Sequence, residues 1–243
     1  TGSMWTANII REIFEYGNFE VFPKKQFISD IEWLNFYKTN VLFDQSKSSK
    51  FILKIHEKLT KIPPRSKIIT NVRNPYDVCA SYYEFMKCSL DDSIKLAQSL
   101  LSFINHYKNL SQKIFKLRYE EIETQPYKLL KKLALFLEIS LSENEIKEIC
   151  DKYNKSAIKK LINKNDSSIK LNDYENKNDT FDVLKLKDGN VRSFDFKTGF
   201  QTGHVSSRNT GEWRKIFTNK EIKLIIKKID SIAIELGYNS EIY

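Results

Sequence analysis

Strand-like and helix-like segments alternate along this chain, and the alternation restricts the folds that it can adopt. Residues 67–72 are rich in apolar and β-branched types, which favours a strand, and Asn74 with Pro75 then supplies a helix cap and a first turn. Residues 114–119 again favour a strand, followed by a helix that begins near Pro126. Because the strands of a parallel sheet are joined through crossover helices, the sequence predicts an α/β fold in which helices flank a parallel sheet.

Capping boxes mark two further helices. Ser142 with Glu145, and Thr218 with Glu221, each place a hydroxyl three residues before a glutamate and ahead of apolar residues at helical spacing. Between residues 163 and 214, lysine, asparagine, aspartate and serine dominate, and glycines interrupt any periodicity. We therefore predict that 163–214 is a long irregular loop or lid within a single domain that covers all 243 residues.

The composition indicates a soluble chain that binds anionic partners. It has 41% hydrophobic residues, enough for a substantial core, but no run of about 18 apolar residues that would span a membrane and no secretory leader. Its 3 cysteines lack paired spacing, so we predict neither a disulfide framework nor a structural metal site, and a cytoplasmic location. The net charge of +9 favours anionic partners, but acidic and basic residues share the same segments, which argues against nucleic acid.

A turn at Gly2 leads into an amphipathic helix that is predicted to begin near Thr6, with Arg11 and Glu12 on its polar face. The N–H groups of a first helical turn have no partner within the helix, and glycine permits the backbone angles that a close approach needs. We interpret the turn as an anion site whose natural occupant is a phosphate. Two alternatives remain open: an ordinary capped helix, and a cloning remnant ahead of an initiator Met4.

Lys54 and His56 are two residues apart in a strand predicted over residues 50–56, so both side chains should leave the same face. An imidazole with an ordinary pKa of about 6.5 is suited to removing a proton from a hydroxyl, and the lysine would hold an anionic group during its transfer. The alternative is a solvated basic rim at the end of a strand.

Arg73 directly follows the strand over residues 67–72, and Ser81 lies on the helix behind it. The planar guanidinium can offer two parallel hydrogen bonds to a phosphate, and the hydroxyl can add another. The pair is therefore a candidate second anion site. The alternative is an arginine at a strand end beside a serine on a solvated helix face.

Residues 73–85, with the sequence RNPYDVCASYYEF, closely resemble the segment of cytosolic-type sulfotransferases that binds the 3′-phosphate of the donor 3′-phosphoadenosine-5′-phosphosulfate (PAPS). Four further stretches are similar to motifs of that family and occur in its order. Residues 1–5 are similar to the family's 5′-phosphosulfate loop, and Lys-Ile-His at 54–56 is similar to its Lys-Thr-His motif. Residues 117–121, which end in Tyr-Glu-Glu, are similar to its adenine-side Tyr-Glu-Asp, and Gly-Glu-Trp-Arg at 211–214 is similar to its Gly-Asp-Trp-Lys. The resemblance implies a P-loop-like central parallel sheet.

The same resemblance implies roles for individual residues. Lys54 would neutralise the sulfuryl oxygens, and His56 would act as the general base on the acceptor. The donor-binding residues would be Gly2, Ser3, Met4 and Trp5 around the 5′-phosphosulfate and the adenine, Arg73, Ser81 and Arg208 at the 3′-phosphate, and Tyr119 with Trp5 at the base.

The implied reaction is an in-line displacement in which a hydroxyl or amine of a small-molecule acceptor attacks sulfur. PAPS is the donor, 3′-phosphoadenosine-5′-phosphate (PAP) is the product, and no metal is required, since lysine, arginine and a helix N-terminus supply the positive charge. The resemblance does not identify the acceptor. The aromatic candidates for an acceptor pocket are Phe27, Trp33, Phe36, Tyr37, Tyr83, Phe85 and Phe200.

The sequence also departs from the family pattern. The family has a strand and a lysine directly before the turn, and we expect both to precede Thr1 in the native protein, so that the sequence is N-terminally truncated and its activity depends on them. Met4 stands where the family usually has threonine, and Arg208 is displaced from the family's Arg-Lys-Gly. Asn219 and Lys223 do not fit the family's dimer segment, so dimerisation by that route is not expected.

Two other functions remain open. A P-loop kinase would share the fold, but no Gly-x-x-x-x-Gly-Lys-Ser/Thr occurs. A non-catalytic protein that binds nucleotides or anions would keep the fold without the chemistry, which is compatible with the lysine missing before Thr1.

Overall fold

A computed structural model describes most of the chain. The described residues are 2–41, 49–110, 113–168, 181–185, 191–203, 205–206 and 208–239. Thr1, at the start of the predicted phosphosulfate loop, and part of the predicted 163–214 loop lie outside them. The chain forms two compact units: a first unit of residues 2–65 and 123–205, and a second unit that comprises residues 66–122 and 206–243.

Helices and short strands make up most of the regular structure of the described residues. The helices are α1 (Ser3–Tyr16), α2 (Asp30–Phe36), α3 (Pro75–Met86), α4 (Leu90–Leu110), α5 (Tyr119–Thr124), α6 (Pro126–Leu137), α7 (Glu143–Lys152), α8 (Lys155–Ser168) and α9 (Asn219–Glu235). The strands are β1 (Glu20–Phe22), β2 (Ser49–Phe51), β3 (Ile68–Val72), β4 (Ile114–Arg118), β5 (Phe181–Lys185) and β6 (Val191–Asp195). No helix in the ranges above combines the length and apolar content that a membrane crossing needs.

Helix α1 is buried along most of its length, from Met4 to Ile13. It begins at Ser3 rather than near Thr6, after Gly2 at φ 78°, a left-handed conformation that glycine adopts without strain. Its predicted polar face is also buried, because the polar side chains there form hydrogen bonds with groups of the same unit. Arg11 Nη2 donates to the Pro23 carbonyl at 2.7 Å, and Glu12 Oε1 accepts from the Tyr153 hydroxyl at 2.8 Å.

The strand predicted over residues 50–56 is wrong beyond Phe51. β1 and β2 pair in parallel, and one further hydrogen bond, from Ile52 N to Phe22 O at 2.9 Å, follows their register. The ladder then stops because its partner strand runs into Pro23, which has no N–H to donate. Lys54 and His56 therefore lie in irregular backbone, and strand alternation does not set their directions.

The second unit is built on a strand–helix–strand crossover. β3 and β4 pair in parallel, with α3 and α4 between them in the chain, as the alternating pattern predicts. α3 begins at Asn74, whose side chain accepts from Tyr76 N at 3.0 Å. α3, α4 and α9 enclose the core of this unit, which includes Tyr76 stacked on Trp213 at 4.9 Å. The α/β class with parallel strand pairs is thus confirmed.

The segment predicted as an irregular loop over residues 163–214 contains regular structure. α8 continues to Ser168, β5 and β6 form an antiparallel hairpin, and a short 3₁₀ helix covers Glu212–Ile216. Some of its described polar residues hydrogen-bond to one another. Asp166 Oδ1 accepts from the hydroxyls of Ser193 and Thr202, each at 2.6 Å, which ties α8 to the hairpin.

Candidate functional site

The predicted anion site of the first unit lies at the N-terminal turn, where Gly2 leads into α1. Thr6 N donates to Gly2 O at 3.0 Å, so the helix closes immediately behind the glycine, and Ser3 is half-buried. Met4 is buried against Gly199, where an added Cβ would lie 2.0 Å from Met4 Cε. Trp5 is also buried, and its indole Nε1 donates to Tyr153 O at 3.0 Å. The hydrogen bond fixes the orientation of the ring.

Lys54 and His56 lie in the irregular segment after β2, and α2 contributes a carboxylate to them. His56 Nδ1 is 3.0 Å from Asp30 Oδ1, and Asp30 is the first residue of α2. An ionised carboxylate only accepts hydrogen bonds, so Nδ1 is the donor in this pair, and in the neutral ring Nε2 keeps its lone pair. The His56 side chain remains 54% exposed, which leaves the ring open to a reacting partner.

The charges around His56 favour its neutral form. Partial burial and the positive charge of Lys54 lower the pKa of His56, and Asp30 opposes both effects. Burial likewise lowers the pKa of Lys54, again against Asp30. His56 is therefore neutral at pH 7, and a histidine must be neutral to accept a proton as a general base.

In the second unit, Arg73 and Tyr119 meet at the ends of paired strands. Val72 is opposite Arg118 in the parallel register, so the residue after each strand lies at the same edge of the sheet. Arg73 Cζ is 4.3 Å from the centre of the Tyr119 ring. Arg73 is only 8% exposed, and among the described residues no acceptor contacts its Nε. The Nε–H of Arg73 is therefore a buried donor without an acceptor among the described residues, which a bound anion would satisfy.

Helix α3 carries the other predicted phosphate ligand on the same face as two carboxylates. Ser81 is half-buried, and Asp77 and Glu84 lie one turn before it and about one turn after it. Arg208 donates to Glu84 Oε2 from Nε at 3.0 Å and from Nη2 at 2.6 Å. Asp77 is fully buried, and its Oδ2 accepts from Gly211 N at 2.8 Å. α3 thus holds the segment that contains both Arg208 and Gly211.

Asp30 and Asp77 are site carboxylates that the sequence interpretation missed. Ser29 and Glu32 form a capping box, which was the available signal that Asp30 occupies the first turn of a helix. No local pattern connects Asp30 with His56, 26 residues away. The bond between Asp77 and Gly211 spans 134 residues, so no local pattern connects them either.

Several aromatic candidates for the acceptor pocket belong to the core instead. Trp33, Tyr37 and Phe200 are buried, and Tyr83 packs on Phe217 at 5.4 Å. Phe27, Phe36 and Phe85 are half-buried and remain candidates. Among the residues described, no cluster of three or more histidine, cysteine, aspartate or glutamate side chains is arranged to hold a metal ion.

The model of the sulfotransferase domain family matches residues 1–185. The crystal structure of mouse sulfotransferase SULT7A1 complexed with PAP is similar, with a TM-score of 0.54 and 17% identity over 97% of this chain and 83% of that one. A retinol dehydratase structure in complex with androsterone and inactive cofactor PAP gives a TM-score of 0.49 and 18% identity over 77% of this chain.

This chain spans about half of the retinol dehydratase chain, 54% of its length. No curated protein sequence gives a match. The family model, however, covers well over half of the 243 residues, and it confirms the resemblance that the ordered motifs predict. The chain therefore belongs to the sulfotransferase domain family.

Proposed function

We propose that this protein transfers a sulfuryl group from PAPS to a hydroxyl or amine of a small-molecule acceptor. The observation that carries the proposal is the buried guanidinium of Arg73, whose Nε has no acceptor among the described residues and which follows β3 in the family's 3′-phosphate segment. Membership of the sulfotransferase domain family and the PAP in the SULT7A1 structure support it.

In the second unit, the residues suited to the donor are those that the family motifs assign. Arg73 would pair with the 3′-phosphate through its uncommitted Nε, Ser81 would add a hydroxyl, and Tyr119 would stack against the base. Arg208 would join them by exchanging its pairing with Glu84 for the phosphate. Arg73 Nε would thereby gain the acceptor that it lacks, and Arg208 would exchange a carboxylate for a phosphate oxygen.

In the first unit, the chemistry rests on the turn at Gly2 and on Lys54 and His56. The backbone amides at Ser3 and Met4 would receive the 5′-phosphosulfate, and Lys54 would offset its charge. His56 Nε2 would take the proton of the acceptor hydroxyl or amine as it attacks. The donor, once bound, supplies the electrophilic sulfur.

Binding of PAP tests the donor site separately from turnover. Free PAP at about 100 times its Kd should stabilise the protein by about 2.7 kcal/mol and raise its melting temperature. Arg73→Ala should weaken PAP binding by about 10- to 100-fold, because a charge-assisted hydrogen bond contributes about 1.5–3 kcal/mol. Arg65→Ala, at an exposed arginine of the other unit, is the control and should leave the shift unchanged.

A full-length protein whose melting temperature does not respond to PAP would overturn the proposal. Normal PAP binding without transfer to a broad panel of phenols, alcohols, amines and sugars would favour a non-catalytic nucleotide-binding protein of the same fold. Magnesium-dependent ATP turnover would favour a kinase instead.

A further inference from the structure

We propose that Asp30 is a positioning residue that holds His56 with Nδ1–H toward α2, so that Nε2 is the atom that takes the acceptor's proton. The inference rests on the proposed function, and it adds a residue outside the motifs that the family resemblance covers. The pairing of His56 Nδ1 with Asp30 Oδ1 at 3.0 Å is the observation behind it.

Asp30 is fixed by the helix that it begins. Ser29 caps α2, and its Oγ accepts from Glu32 N at 3.3 Å, while Glu32 Oε2 accepts from Ser29 N at 2.9 Å. The reciprocal capping box defines the first turn, in which Asp30 is the first helical residue. The carboxylate therefore projects from a defined backbone position.

His56, by contrast, belongs to a segment without regular backbone hydrogen bonding. β2 ends at Phe51, five residues before it, and residues 52–56 form neither strand nor helix. With the side chain 54% exposed, packing alone does not select one orientation of the ring. The hydrogen bond to Asp30 selects one orientation of the ring. In many functional histidines a carboxylate partner also fixes the tautomer in this way.

The charges of the neighbours are consistent with this role. Lys54 and Asp30 are the described charged side chains that act on His56, and they act in opposite directions. Lys54 and partial burial lower the pKa of His56, and Asp30 raises it. Asp30 thus keeps the neutral imidazole basic enough to accept a proton beside a lysine, and it stabilises the imidazolium that results.

The proton and electron balance of the step is complete with these groups. As the acceptor oxygen or nitrogen forms its bond to sulfur, its proton passes to His56 Nε2. The bond between sulfur and the phosphate oxygen of the donor breaks, and the electron pair leaves on that phosphate. The imidazolium remains paired with Asp30 until solvent removes the proton.

Asp30→Asn tests the role, because an amide can either accept from or donate to Nδ1 and no longer specifies the tautomer. We expect kcat to fall by about 10- to 100-fold, the size of effect found when the partner that orients a functional histidine is removed. The acid limb of the pH profile of kcat/KM should move to lower pH, since the change removes the charge that raises the pKa of His56. Asp30→Glu should restore part of the lost kcat and move the acid limb back.

Glu20→Gln is the matched control, because it removes an exposed carboxylate of the same unit that pairs with Lys24 and not with His56. Its kcat should stay within about 2-fold of the wild type, and PAP-induced stabilisation should be unchanged in both variants. Histidine-labelled ¹⁵N NMR, with His56 assigned by His56→Asn, should show an Nδ1–H tautomer in the wild type and a mixture in Asp30→Asn.

The transfer assay and the NMR measurement distinguish the proposed role of Asp30 from the proposed function. Transfer that is unaltered in rate and pH profile in Asp30→Asn overturns the role of Asp30 and leaves the proposed function in place. An Nε2–H tautomer in the wild type also overturns the role of Asp30. Absence of transfer in a wild type that binds PAP and shows the Nδ1–H tautomer overturns the proposed function.

Discussion

Single carboxylates join segments that are far apart in the sequence. Glu12 on α1 accepts from the Tyr153 hydroxyl at 2.8 Å and from Lys152 Nζ at 2.5 Å. Burial, together with Glu12, raises the pKa of Tyr153, so its hydroxyl remains a donor at physiological pH. Asp77 on α3 likewise holds Gly211. A buried polar group that loses its hydrogen-bond partner lowers the free energy of unfolding by about 1–3 kcal/mol. Each of these bonds therefore holds a loop or a helix end in place.

We expect the buried carboxyl of Asp77 to lower the stability of the folded protein at neutral pH. Burial raises the pKa of Asp77 above its usual value, although Gly211, Arg73 and Arg208 act against that rise. A group whose folded pKa is raised favours the folded state at low pH and loses that contribution as pH rises through its folded pKa. Asp77→Asn should therefore gain stability relative to the wild type at pH 7, and the gain should disappear in acid.

Urea unfolding at pH 7 and at pH 3 to 4 checks this expectation. Asp77→Ala is the companion variant: it removes the acceptor of Gly211 N and should be about 1–3 kcal/mol less stable than Asp77→Asn at either pH. Equal stability of the two variants would show that the bond to Gly211 contributes nothing.

Sequence patterns predict a helix or strand well where the residues of the pattern lie within that helix or strand. β3, α3 and the capping boxes at Ser142 and Thr218 form as predicted, because turn chemistry and apolar spacing act within one or two turns. The β5–β6 hairpin was missed because its polar residues are satisfied by Asp166, on another element. Strand β2 ends early because of Pro23 in its partner, which no pattern in residues 50–56 reveals.

The same distinction applies to the candidate site. Arg73 and Tyr119 were both predicted, and their proximity follows once β3 and β4 pair in register. The contact between Asp30 and His56 was not predictable, since it depends on how α2 packs beside an irregular segment. Sequence patterns therefore predicted the candidate binding residues, but not the carboxylates that contact them.

Helix α9 offers a test of packing at the scale of one element. Ile229 is 0% exposed in the core of the second unit, whereas Ile234 on the same helix is 61% exposed. Ile229→Ala should lower the free energy of unfolding by about 2–5 kcal/mol, because it removes buried methylene groups and leaves a cavity. Ile234→Ala should change it by no more than about 0.5 kcal/mol. Chemical denaturation of both variants measures the difference, and similar losses would contradict the assignment of the buried face.

The charge of the whole molecule acts on every anionic ligand. The chain carries 40 lysine and arginine residues against 31 aspartate and glutamate residues, a net charge of +9. A positive field raises the local concentration of a multiply charged nucleotide, and salt screens that field over about 10 Å at 0.1 M. The excess of charge alone should therefore make affinity for PAP sensitive to ionic strength.

PAP affinity measured by calorimetry should fall as salt rises from about 50 mM to about 500 mM, since the Debye length shortens from more than 10 Å to only a few Å. Adenosine, which has the same base without phosphates, should bind weakly but with little dependence on salt. Arg73→Ala should reduce the dependence for PAP, because the variant removes a close and poorly screened cation from the 3′-phosphate. If PAP affinity does not change with salt, recognition of the base dominates binding and neither the net charge nor Arg73 contributes as argued.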